Sequence, residues 1–202
     1  IRDSPFAMEG FGILYNEEIM DAYFALPGAK VTSISELTSF DALKTVAEDM
    51  QARKDELGIA GAFAATSLIA GEEWRWTNHL MNGPLHYEIV DRGVQEFSDM
   101  AELEFTYGDN YRQLFDLYLQ NSTVTPTLAA ARATADAMAE FATGKAAMVQ
   151  NGNWAWGQIS GDAANVIKED KIKFLPMYMG LPGEDTVGLN LSLIHISEPT
   201  RR

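Results

Sequence analysis

Between Leu128 and Ile159 the hydrophobic period of the chain changes twice, and this stretch constrains the fold more than any other. An alanine-rich run from about Leu128 to Phe141 predicts a helix, and Gly144 sits where a helix ends in a left-handed residue. "AAMVQNG" (146–152) then reads as a strand, and "NWAWGQI" (153–159) opens a short helix. A helix, a glycine, a strand, a turn and a second helix in direct succession belong to the α/β class.

The rest of the chain repeats the alternation. Residues 6–15 mix apolar and small side chains and end in Tyr15, which predicts a strand. Asn16 can cap the helix that follows, with Glu17 and Glu18 in the first turn, where the helix dipole favours acids. Thr38 or Ser39 can cap a second helix, which Gly58 ends; Phe40, Leu43, Ala47 and Met50 form its apolar face. "AGAFAAT" (60–66) reads as a short buried strand whose small residues admit a backbone or a ligand at close range. "PLHYEIVDRG" is expected to be extended at its start. A helix from Asp109 aligns Tyr111, Leu114, Phe115 and Tyr118, and "IKFLPM" (172–177) predicts a last strand. No internal repeat and no Pro- or Gly-rich linker divides the chain.

Composition excludes several functions. The net charge is −14, dispersed along the chain, which repels nucleic-acid phosphates and anionic membrane surfaces. There is no cysteine, so neither a disulfide framework nor a thiolate metal site can form. No run of 18 apolar residues is present to span a bilayer. The glycine motifs of dinucleotide and nucleotide sites and the nucleophile elbow are absent. His79 and His86 are seven residues apart and lack the carboxylate company of a metal site, so no metal or cofactor is expected.

All four tryptophans fall in two W-x-W pairs: Trp74 and Trp76 in "GEEWRWTNHL", Trp154 and Trp156 in "NGNWAWGQI". Glu73, Arg75, Asn78 and His79 flank the first pair; Gln150, Asn151 and Asn153 flank the second. A tryptophan offers a broad rigid face and one N–H donor. Faces that stack on C–H surfaces, with amides and acids to catch hydroxyls, form the chemistry of a sugar site. On a helix, residues i and i+2 lie roughly 200° apart, so one tryptophan of each pair faces a cleft and the other packs inward. The spacing leaves open which tryptophan of each pair faces the cleft. The adjacent acids Glu72 and Glu73 keep a second reading open, a carbohydrate-active hydrolase in which they act on one glycosidic bond.

The blocks "GILYNEEIM", "FDALKTVAEDMQARKDELGI", "EEWRWTNHLMNG", "NYRQLFDLYLQN", "AEFATGKAAMVQNGNWAWGQI" and "IKFLPMYMGLPGE" carry a family resemblance. In order and spacing they resemble the family-1 extracellular solute-binding proteins, the sugar receptors of bacterial ABC importers. The resemblance implies a periplasmic-binding-protein-like type II fold, with two lobes around a ligand cleft and hinge strands between them. It implies that this chain is mostly the C-terminal lobe, with residues 1–12 ending the N-terminal lobe and forming a hinge strand. Residues 13–170 would be a partial C-terminal lobe, and residues 171–190 a strand returning to the N-terminal lobe. It assigns a ligand-stacking role to Trp154, with Trp156 then expected to hold the turn. It assigns ligand contacts to Glu73 and to Trp74 or Trp76, the choice between those two staying open. Tyr15 and Asn16 would lie at the hinge, facing or near the cleft, and Asn153 beside Trp154 is a further expected contact. Its partners would be a sugar or oligosaccharide and the membrane subunits of an ABC permease. The receptor would be a monomer, placed in the periplasm or on the cell surface as a lipoprotein, with its signal sequence outside this chain. The aromatic order of "EEWRWTNHL" differs from that of the family's maltose receptors, so the sugar stays open, as does a same-fold receptor for a polyamine or metal chelate. No catalysis is implied.

The final residues stand apart. "LSLIHISEPTR" (191–201) reads as the translation of a transposase-type sequencing adapter, and residues 191–202 are expected to be an artefact.

Overall fold

The computed structural model describes residues 8–65, 67–94, 102–181, 184 and 188–191. The expected beginning of the first strand at residues 6–7, Thr66 and residues 192–202 lie outside the described residues.

The first strand, β1 (Met8–Asn16), is the axis of the sheet. On one side it pairs antiparallel with β3 (Ala146–Gly152), which in turn pairs parallel with the short β2 (Gly61–Phe63). Its other side is shared end to end by β4 (Ile172–Leu175) and β5 (Gly188–Leu191), both antiparallel. Phe11 marks the sharing, since it pairs with Gly152 on one edge and Gly188 on the other.

Side chains alternate along a strand, so β1 feeds two cores. Ile13 and Tyr15 enter the larger core, with Met20 and Tyr23 of α1 (Glu17–Phe24), Leu43, Val46 and Met50 of α2 (Phe40–Ala52), and Leu114 and Tyr118 of α5 (Gly108–Gln120). Leu14 enters the smaller core on the opposite face, with Met138 and Phe141 of α7 (Thr134–Ala142) and Ile159 of α8 (Ala155–Ser160). The result is a mixed α/β sheet with helices on both faces.

Local chemistry sets the element ends. Asn16 caps α1 by accepting from the Glu18 amide at 3.0 Å, and Ser39 caps α2 by accepting from the Ala42 amide at 3.3 Å. The short α3 (Lys54–Leu57) ends at Gly58, whose φ of 67° needs glycine. Gly61 serves close approach: a Cβ there would lie 2.4 Å from the Thr123 nitrogen, blocking the bonds that tie Phe63 to Asn121 and Thr123.

Two expected elements differ. The single helix from Leu128 to Phe141 is split into α6 (Pro126–Ala129) and α7. Asp136 accepts from the Ala133 amide at 2.9 Å and so starts a new helix there. The start of "PLHYEIVDRG", residues 84–91, is helical rather than extended and lies inside α4 (Met81–Asp91). Pro84 lacks the N–H of a regular turn and crowds the carbonyl four residues back. The turn that precedes α4, Arg75–Leu80, is π-wound, and its wider winding gives the ring room.

Candidate functional site

The two W-x-W pairs are 80 residues apart in sequence, yet their first members meet. His79 is the meeting point. The Trp74 indole lies edge-on to the imidazole, with centroids 5.0 Å apart, and Trp154 lies tilted against it at 5.5 Å. Phe11 of β1 stacks beneath the same ring at 4.2 Å, with planes 13° apart. Trp74 is 37% exposed and Trp154 half-buried, whereas His79 and Phe11 are buried. The arrangement is a platform with two accessible indoles above and a histidine and a phenylalanine below.

Each component has a local cause. Gly152 pairs with Phe11, and the Trp154 ring folds back over it; a Cβ at 152 would lie 2.2 Å from the indole. Only glycine leaves that space, which is why the "NG" turn precedes the tryptophan. Asn151 is fully buried, accepts from the Gly152 amide at 2.9 Å and donates to Gln158 of α8 at 3.3 Å, so the turn is pinned from below. On the other side, Arg75 lies under Trp74 with its guanidinium carbon 4.1 Å from the ring centroid. Its Nη1 donates to Thr134 Oγ1 at 2.7 Å.

His79 is neutral at ordinary pH. Burial, aided by the nearby Arg75 charge, pushes its pKa down to about 4. Gln150 Nε2 lies 3.2 Å from His79 Nδ1; with the amide donating, the ring proton sits on Nε2. The platform therefore presents aromatic faces and neutral polar groups.

The expected site residues are distributed unevenly. Trp74 and Trp154 are brought together. Trp76 is only 3% exposed, edge-on to Tyr118 and Phe115 at the larger core, whereas Trp74 is the exposed member of the first pair. Glu73 is exposed beside Trp74, and its carboxylate accepts from the Gly71 amide at 2.5 Å. Asn153 is exposed but lines a groove of about 240 Å³ with Trp156, Ile172 and Phe174, away from the platform. Tyr15 points to the same face of β1 as Phe11 but four residues further along, about 13 Å by strand rise. It lies in the larger core, and Asn16 is occupied as the α1 cap, so neither is brought to the platform.

Glu72, held as a possible catalytic acid, accepts from the Thr134 amide at the start of α7. That bond holds its carboxyl below the usual carboxylate range, the opposite of what a general acid needs. Among the described residues no group of three His, Cys, Asp or Glu could hold a metal ion, and no helix is long and apolar enough to cross a membrane.

Sequence reasoning missed the two buried members. Phe11 carried no signal beyond strand alternation. His79 was weighed only as a metal ligand and as a polar neighbour; its spacing of five from Trp74 matches a π-wound turn, which puts i and i+5 on one side.

Known proteins agree with this architecture. A chitin oligosaccharide binding protein superposes with a TM-score of 0.56 at 20% identity, over 94% of this chain and 45% of its own. The maltose-bound MalE3 of T. maritima gives 0.56 at 19%, over 92% and 42%. RafE in complex with raffinose gives 0.53 at 18%, over 94% and 46%. The chain thus spans less than half the length of these structures, consistent with one lobe of a two-lobed protein. No curated protein sequence matches it. A family model for bacterial extracellular solute-binding proteins matches residues 3–195. The chain belongs to the bacterial extracellular solute-binding protein family.

Proposed function

We propose that this chain forms one wall of the ligand cleft in an extracytoplasmic receptor that captures a sugar or oligosaccharide and delivers it to an ABC permease. The observation that carries the reading is the platform: two accessible indoles on a buried, neutral histidine. Apolar faces with a few placed neutral donors suit the C–H faces and hydroxyls of a sugar. Glu73, beside Trp74, is the nearest expected acid to bind a hydroxyl. The similar structures described with chitin oligosaccharide, maltose and raffinose support the ligand class.

The sheet supports the hinge. β1 and β4 are antiparallel neighbours, as expected of strands that leave and re-enter a second lobe. Closure of that lobe over the platform would expel water and add contacts that the open state lacks. No bond in the sugar is made or broken.

Tryptophan fluorescence, titrated with a panel of mono- and oligosaccharides, tests the reading. A saturable shift with a sugar is expected, without product release on prolonged incubation. A shift only with an amine or a ferric complex overturns the sugar reading. Released product overturns the receptor reading in favour of a hydrolase.

A further inference from the structure

A small cavity lies behind the platform, at the edge of β3 where β2 has stopped. β2 ends at Phe63, opposite Met148, while β3 runs on to Gly152. Past that point the sheet edge is closed by Arg75 and Trp76, by Tyr118 of α5 and by Thr134 and Ala137 of α7.

Four of the residues that line this cavity each hold a buried side-chain atom with no hydrogen-bond partner among the described residues: Arg75 Nε, Trp76 Nε1, Tyr118 Oη and Gln150 Oε1. Their residues are 7%, 3%, 1% and 3% exposed, so bulk solvent does not serve them. The Gln150 backbone amide faces the Tyr118 oxygen without completing a hydrogen bond. Buried polar groups left unpaired cost stability, and native folds keep only a few of them, scattered through the structure. Four in one place point to a shared partner.

The valences identify it. Arg75 Nε–H and Trp76 Nε1–H can only donate, Gln150 Oε1 can only accept, and the tyrosine hydroxyl does either. One water molecule has two lone pairs and two hydrogens. It can accept from Arg75 and Trp76 and donate to Gln150 and Tyr118, giving each of the four atoms a partner. The cavity volume, about 10 Å³, suits a single water and nothing larger.

We propose that this cavity is a binding site for one ordered water, which cross-links the two halves of the platform from behind. Arg75 carries Trp74 on its guanidinium, and Gln150 holds His79 through its amide nitrogen. The water ties the remaining polar atom of each to the other. The site is independent of which solute the platform binds.

The test is a water-contact NMR measurement on the whole chain with ¹⁵N-labelled tryptophan, the Trp76 indole resonance being assigned by its loss in Trp76→Phe. The expected result is a direct cross-peak between the Trp76 indole proton and a long-lived water. Tyr118→Phe, which keeps the ring and removes one partner, should reduce that peak at least twofold while the other indole resonances keep their dispersion. Absence of a water contact in the unsubstituted protein overturns the proposal. A Trp76 indole shift on replacing chloride by gluconate at constant ionic strength also overturns it, in favour of an anion.

Discussion

The two W-x-W segments present their first tryptophan alike and dispose of the second differently. Trp74 and Trp154 rest on the same imidazole. Trp76 then turns into the larger core at 3% exposure. Trp156 passes to the opposite face of the sheet, where it is half-buried beside the smaller core and lines an open groove. The backbone explains the difference. The first pair straddles the entry to a π-wound turn lying over the α5 side, and the second straddles the start of α8 on the α7 side. One spacing thus serves two anchors of unequal depth, because the elements that receive the second indole differ.

That inequality can be broken by experiment. Trp76→Ala empties a closed position against Tyr118 and Phe115 and should cost about 3–5 kcal/mol in urea unfolding. Trp156→Ala gives up a partly solvated contact and should cost roughly half as much or less. Equal losses would remove the distinction between the two anchors.

The second effect belongs to the first segment alone, since it holds the buried imidazole of His79. The unfolded imidazole takes up a proton near pH 6.5, and the native one only near about 4. Between those values the unfolded chain holds a proton that the native fold refuses. The stability owed to the neutral ring is therefore complete above about pH 6.5 and is lost as pH falls toward 4. The loss should reach at most about 3 kcal/mol, and His79→Gln should flatten that part of the stability profile. A slope unchanged in the variant would place the titrating group elsewhere.

The smallest effects concern affinity, where the two first tryptophans should behave alike. Trp154→Ala is expected to weaken sugar binding by about tenfold or more, roughly 1.4 kcal/mol, with the fold retained. Trp74→Ala should do the same by fluorescence or calorimetry. A loss confined to one of them would show that the platform is not used as a unit.

Much of the fold was legible because its signals are local. The Asn16 cap, the Phe40–Leu43–Ala47–Met50 face and the strand before the "NG" turn each depend on residues within a few positions of one another. The helix split at 130–133 was not legible, because Asp136 sits within an alanine-rich run whose helical propensity continues through the break. α4 was hidden by Pro84, whose tolerance depends on the unusual winding of the preceding turn. In the site, the two aromatic pairs were legible by type and spacing, but which member of the first pair turns outward was not. Their convergence on His79 was not, since it is produced by the pairing of β1 with β3 and by a turn 70 residues upstream. Tyr15 and Asn16 were assigned by resemblance to the cleft, yet the register of β1 and the α1 cap give them other work in this lobe.

The position of β1 has a consequence for synthesis. The first described strand is the middle of the sheet, and its Phe11 has a neighbour, Gly188, from near the other end of the chain. A strand whose last edge partner emerges so late must wait with its amides unsatisfied on that side. Helices α1 and α2 can form early from nearby residues, but this edge of the sheet closes only once residues 188–191 have left the ribosome. High sequence separation of this kind slows folding, and β1 is the strand that has to wait for it.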